Sequence, residues 1–412
     1  TPYAVNSTGN IVYLHTARPP PPSGNRTEPD ASQYSPYMKE FIANYPPYQI
    51  GLVLGLFVCT VIQLVYWIRY SRVAVHRHSL REPEGATTPP VSVVVVVADD
   101  PNYITEHLPR LLTQNHPHYE VVVVDDSSES DLTDELVMMQ AQYPHLRFTT
   151  IKADPVFRHS RKLALTVGIK AAQYENIIFT DADASPTSDK WLSIMARGFN
   201  GGQLVIGYTG IERRPGVVNR IIRCQRLSGS IRFLNAAIRG HVYRGIYNNI
   251  GYTKRLFFEH KGYTHLRMTL GEDDLFVQKI APVCSKRTSV MLNPSATMRQ
   301  FQWGGLRWWR SERRYRSAAF DLYPGRVRFT VFFELLTRLL LTLGTAAAAI
   351  LLPQTLWIAG GSLFLLRELT LAITVRMIAR RVGERRLLGV YLIHDLLAPL
   401  GELLLWIGRK LR

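Results

Sequence analysis

The sequence predicts an α/β domain, with helices packed on a mainly parallel sheet, joined to membrane helices on both sides. Three observations carry this expectation: valine-rich runs alternating with helical segments between 91 and 183, an uncharged apolar run at 49–68, and a return to apolar sequence after Phe329. The chain has 412 residues and 46% hydrophobic content, enough for one sizeable domain plus additional segments.

Residues 1–45 are rich in Pro, Asn and Ser without a long apolar core, so a flexible tail is expected there. The sequons at Asn6 and Asn25 are read as chance matches. A transmembrane helix is expected over 46–70, because QIGLVLGLFVCTVIQLVYWI carries no charge and is followed by Arg69, Arg72, Arg77 and Arg81. A Pro- and Thr-rich linker, 71–90, leads to the main domain, 91–300.

VSVVVVV is too short and too β-branched to span a membrane and reads as a strand buried on both faces. The same pattern gives strands at EVVVVDDSS (120–128), FTTIKA and NIIFTDAD (176–183), with helices expected at 104–114, 131–142 and 161–173. Such alternation places ligands beyond the carboxyl ends of the strands. An amphipathic interfacial segment is expected over 301–330, then membrane helices at 331–352 and 354–376, and a transmembrane or interfacial helix at 387–408. Glu334, Arg338, Arg367 and Glu368 interrupt these apolar stretches and are costly in lipid unless they pair, so pairing between helices is expected.

Lys+Arg 49 against Asp+Glu 32 gives a net charge of +17, which suits an anionic partner but does not choose one. Basic residues flank the main domain and fill 376–386, whereas Pro353 and Gln354 carry none, so the domain is expected on the cytosolic side. Cys59, Cys224 and Cys284 lack paired spacing and fit a reducing compartment.

Three acidic groups lie at strand ends or in loops: Asp125 with Asp126, Asp181 with Asp183, and Glu272 with Asp273 and Asp274. Carboxylates spaced D-x-D after a buried strand suit a hard divalent cation, Mg2+ or Mn2+, that also holds substrate phosphates. Asp273, opening an apparent helix in GEDDLF, is the candidate general base, with an acidic helix cap as the alternative use. Asp125 and Asp126 can accept from a nucleobase or simply form a turn. Lys162 can approach a phosphate or remain solvated, and Asn248 and Asn249 sit in a glycine-flanked loop suited to an acceptor or to turn formation. Trp303, Trp308, Trp309, Arg310, Arg313, Arg314, Tyr315 and Arg316 form an aromatic and basic block that can anchor at the interface, clamp a diphosphate, or both. The membrane segments argue against the nucleic-acid use of such a block.

Taken in order, VSVVVVV, VVDDSS, RKLALTVGIKAA, TDADASPTSDKWL, NNIGYTKRLFFEHKGY and GEDDLFVQKIA resemble family 2 glycosyltransferases of the GT-A nucleotide-sugar fold, and LRWWRSERRYRS before apolar helices resembles membrane-anchored bacterial members. The resemblance implies a nucleotide-diphospho-sugar donor, a UDP-sugar above others, and inversion at the anomeric carbon. It implies Asp183 as principal metal ligand with Asp181 beside it, Asp273 as base, Asp126 at the nucleobase, and Arg313 or Arg314 near the diphosphate. Glu272, Asn249 and Trp309 are expected on the side of a lipid or glycan acceptor. Gln300, Gln302, Arg307 and Trp308 do not reproduce the Q-x-x-R-W spacing of processive synthases, so a single transfer at the bacterial inner membrane is expected over polymer extrusion. A small processive synthase and a non-catalytic nucleotide-sugar-binding scaffold are the alternatives.

Overall fold

The structure is a computed structural model, and it describes residues 3–5, 11–13, 45–76, 88–97, 106–126, 132–151, 161–263, 272–301 and 305–410. The chain divides into two units, Thr1–Leu52 and Val53–Arg412. Within the first, β1 (Tyr3–Val5) and β2 (Ile11–Tyr13) pair antiparallel, with Tyr3 opposite Tyr13. Their aromatic and β-branched residues favour a pleated ladder, a local signal masked in the sequence by the polar composition around it. The rest of the expected flexible tail lies outside the described residues.

Helix α1 (Pro47–Val75) opens on a proline, whose fixed φ and missing N–H suit a first helical turn. The second unit then builds its sheet from β3 (Val91–Val97), β4 (Tyr119–Asp126), β5 (Leu146–Ile151), β6 (Asn176–Asp181), β8 (Leu204–Gly207), β10 (Ile250–Thr253) and β11 (Thr288–Met291). The order is β11-β8-β10-β6-β3-β4-β5, parallel throughout except that β10 runs against both neighbours. Valines line both faces of β3 and β4 because helices cover the sheet on each side. Helices α2 (Leu108–Leu112), α3 (Leu132–Gln142), α4 (Arg161–Ala171) and α5 (Trp191–Arg197) connect these strands in sequence. α4 lies so close that a Cβ on Gly168 would fall 2.6 Å from Val94 Cγ1 and 2.9 Å from Val124 Cγ2.

A second, three-stranded sheet, β7-β12-β9, is made of β7 (Ala184–Pro186), β9 (Thr209–Ile211) and β12 (Met298–Gln300). It is a product of sequence-distant pairing, with Gln300 opposite both Ala184 and Ile211, and short strands of this kind leave no periodicity to read. The long α6 (Val217–Ile238), short α7 (Lys254–Glu259) and α8 (Glu272–Cys284) complete this part of the unit.

The segment expected at 301–330 contains α9 (Gly305–Phe320) and a turn ending at Pro324. Pro324 then starts α10 (Gly325–Leu351) one to two turns before the apolar stretch begins. α11 (Gln354–Arg381) and α12 (Leu388–Lys410) follow, the latter continuous through Pro399. Among the described residues, α1, α10 and α11 are long and apolar enough to cross a membrane.

The four charges expected to pair between helices pair within their own helix, and Asp395, outside that set, supplies the link across helices. Asp395 of α12 bridges Arg338 of α10 (2.8 Å) and Arg367 of α11 (2.5 Å), while Arg338 also pairs with Glu334 and Arg367 with Glu368. Gln63 of α1 donates to Thr337 at 2.8 Å, and Tyr70 donates to Glu334 at 2.9 Å. Arg232, on α6, reaches Glu334 at 2.9 Å, so the network also fastens the sheet domain to the helices. Asp395→Ala leaves two buried arginines with one carboxylate each and should lower unfolding stability by about 3–5 kcal/mol. Chemical denaturation of the detergent-solubilised protein checks this, and a variant as stable as the parent would refute it.

Candidate active site

The register of the main sheet brings its carboxylates to one edge. Val97 of β3 is opposite Asp125 of β4, and Val96 is opposite Asp181 of β6. Asp125 and Asp181 therefore end strands separated by one other, about 10 Å apart by strand spacing. Asp125 is buried and Asp126 half-buried, since successive strand residues point to opposite faces.

Asp183 follows Asp181 in the turn between β6 and β7. Its Oδ1 accepts from Asn248 Nδ2 at 3.2 Å, its Oδ2 from Gln300 Nε2 at 2.9 Å, and its carbonyl from the Phe301 N–H at 2.7 Å. Gln300 is held in turn by Arg226 of α6, which donates to its Oε1 at 2.6 Å. Phe301 stacks on His107 with ring centroids 4.1 Å apart. Desolvation pushes the Asp183 carboxyl up to about 7, and the charge of Asp181 adds to the rise, against the lowering effect of Gln300, Arg161 and Arg226. Asp181 itself pairs with Arg161, whose guanidinium lies 4.4 Å above the Tyr247 ring.

These positions revise the site in several respects. Arg161, the first residue of α4, reaches the strand ends and pairs with Asp181; the expected Lys162, next to it, is half-buried. The basic pair opening a helix was visible in the sequence, but that Arg161 meets Asp181 depends on the helix's rotation against the sheet. Asn249 does not face an acceptor: it is completely buried, accepts from Trp191 Nε1 at 3.0 Å, and donates to the Tyr208 and Ala296 carbonyls, each at 2.9 Å. Gly207 leaves room for that brace, since a Cβ there would meet Asn249 Nδ2 at 2.3 Å. Its neighbour Asn248 is the one that reaches Asp183. Gln300 and Arg226 carry no acidic or motif signal and join Asn248 around the carboxylate only through tertiary packing.

Glu272 and Asp273 open α8, and their side chains lie outside the described residues. Next to them Asp274 pairs with Arg244 at 3.3 Å and accepts from Tyr323. Arg313 is held by Glu402 of α12 at 2.9 Å and lies 4.9 Å over the Trp309 ring, an arrangement that fastens α9 to α12. Trp309 donates its indole N–H to Gln225 of α6. The Arg314 side chain lies outside the described residues.

Among the described residues no three His, Cys, Asp or Glu side chains converge as a metal cage. The donor set nevertheless fits a small hard dication. Two neighbouring carboxylates offer oxygen ligands, Asp183 with its charge disfavoured by burial and by Asp181, and such ions commonly take one or two protein carboxylates plus waters and substrate phosphates.

Residues 92–264 match the model of Glycosyl transferase family 2. No curated protein matches the sequence significantly. Among solved structures, the chain is similar to the mannosyltransferase PcManGT from Pyrobaculum calidifontis in complex with GDP-Man and Mn2+, at 18% identity and a TM-score of 0.51, covering 85% of this chain and 97% of that one. It is also similar to S. aureus TarS 1-349 in complex with UDP-GlcNAc, at 17% identity and a TM-score of 0.41, covering 76% of this chain and 92% of that one.

Gln300→Leu withdraws the amide that joins Arg226 to Asp183. The expected cost is about 1–3 kcal/mol of stability from a lost buried hydrogen-bonding group, read as a lower thermal midpoint; an unchanged midpoint would contradict the bridge.

Proposed function

From the premise that the chain carries a glycosyl transferase family 2 domain with the mixed α/β sheet of the GT-A fold and candidate membrane helices on both sides, we propose that it transfers a sugar, with inversion, from a nucleotide-diphospho-sugar to a hydroxyl of a lipid or lipid-linked acceptor at the cytosolic membrane face. The observation that carries this reading is the Asp181–Asp183 turn: two carboxylates at a strand end, one paired with Arg161 and the other gripped by amides from two distant segments with its charge disfavoured by burial.

Asp126, at the open end of β4, accepts from the nucleobase. Arg161 fixes Asp181, which leaves Asp183 as the ligand aimed at the diphosphate. Asp183 and Asp181 would hold a divalent cation, Mg2+ or Mn2+, whose chemistry there would be neutralisation of negative charge on the departing diphosphate. Asp273, at the second position of α8, takes the proton of the acceptor hydroxyl as its oxygen attacks the anomeric carbon and the bond to the diphosphate breaks. Nucleoside diphosphate leaves, and no covalent sugar–enzyme bond forms. The donor base is open between uridine, favoured by the sequence resemblance, and guanosine, present in the similar mannosyltransferase complex.

A panel of UDP- and GDP-sugars, screened by thermal shift and nucleotide release, identifies the donor. With it, Asp273→Asn should lower transfer by at least about a thousandfold while donor binding stays within about threefold of the parent; full turnover by the variant would overturn the assignment. Protons compete with metal for Asp183, so Mn2+ affinity should rise as pH increases through about 7, by up to about tenfold per unit below it, and level off above. Calorimetry between pH 5.5 and 8.5 tests this, and a flat profile would exclude Asp183 as the ligand.

A further inference from the structure

The loop between α11 and α12, residues 382–387, is gripped by the sheet domain along its length. Thr297 donates to the Val382 carbonyl at 3.2 Å, Arg299 Nη2 and Arg213 to that of Gly383, Arg223 to that of Arg385 at 3.1 Å, and Cys224 to that of Leu387 at 3.9 Å. Gly383 adopts φ +69°, a backbone conformation that favours glycine and turns its carbonyl toward those arginines. At the centre is Glu384, 2% exposed. Its Oε1 accepts from Arg299 Nη1 and from Tyr208 Oη at 3.2 Å, and its Oε2 from Arg223 Nε at 3.2 Å and Nη2.

The elements that hold Glu384 are the ones that hold Asp183. Arg299 immediately precedes Gln300 on β12, and adjacent strand residues face opposite sides. Anchoring Arg299 on one side of β12 therefore fixes where the Gln300 amide emerges on the other, 2.9 Å from Asp183. Gln300 is also opposite Ala184, the residue after Asp183, in the β12–β7 ladder. Arg223 and Arg226 lie three apart on one face of α6, the first on Glu384 and the second on Gln300. The ion pair lies against Gly210, where a Cβ would fall 2.2 Å from Arg299 Nη1 and 2.6 Å from Glu384 Oε1; the backbone of β9 has been cleared for it.

We infer that Glu384, delivered by the hairpin of α11 and α12, is a positioning residue for Asp183, so that the carboxylate takes its binding geometry only when that hairpin is docked on β12. The inference rests on the reading of Asp183 as the carboxylate that binds cation and diphosphate. Without the charge of Glu384, Arg299 and Arg223 repel one another in a buried site, β12 loses its anchor, and the amide on Asp183 shifts.

The test compares Mn2+-dependent binding of UDP and of GDP by calorimetry in the full chain in lipid nanodiscs. Glu384→Gln should weaken it at least tenfold. A Glu384→Gln protein that loses thermal stability yet binds like the parent would overturn the inference. Should that variant fail to fold, Tyr208→Phe, which removes one hydroxyl from Glu384, is read instead: a loss of threefold or more supports the role, and an unchanged affinity overturns it. A parent protein that binds neither nucleotide with Mn2+ removes the reading of Asp183, and this inference with it, and is distinguished from binding that is present and insensitive to Glu384.

Discussion

Two carboxylates one residue apart at a desolvated strand end set the terms for much of this molecule. Asp181 and Asp183 disfavour each other's charge, and burial disfavours that of Asp183 further. Such a pair keeps a defined geometry only if its surroundings supply donors from fixed directions. Here Arg161 comes from α4, Asn248 from the segment before β10, and Gln300 from β12, each anchored in turn by a ring, a buried neighbour or an arginine. Arg161 and the two amides thus hold the turn from three separate elements.

The long α6 links that turn to the apolar helices. Arg223 meets the loop between α11 and α12, Arg226 meets Gln300, and Arg232 meets Glu334 inside α10. Gln225 on the same helix receives the Trp309 indole. The helix is therefore a strut whose basic residues are held by carboxylates and amides from both parts of the second unit, and little of its positive charge is left as a solvated face. Buried ion pairs of this kind add little net stability over apolar packing, yet breaking one is costly. That asymmetry favours one docking arrangement over alternatives, which suits a carboxylate turn that depends on the register of a three-residue strand.

Much was legible in the sequence. The valine runs, the strand-end acids and the first apolar segment each express a local rule: β-branched residues buried on both faces, a period of two, a charge-free length that can cross lipid. Strands formed at each of the four runs the pattern placed, with ends shifted by about two residues at β5 and β6, and residues 92–264 match the family that the ordered motifs resembled. Boundaries were weaker where a proline or a polar turn decided them, as at Pro324, which starts α10 early.

Sequence by itself determined the layered α/β plan, the apolar helices and the acids that end β4 and β6, because each follows from residues adjacent in the chain or repeating with a fixed period. Only the tertiary structure decided that Arg161 reaches Asp181, that Asn248 meets the carboxylate while Asn249 braces the core, and that Gln300 and Glu384 belong to the same assembly. Those choices depend on helix rotation, strand register and contacts between segments far apart in sequence, for which neither periodicity nor residue type leaves a local trace.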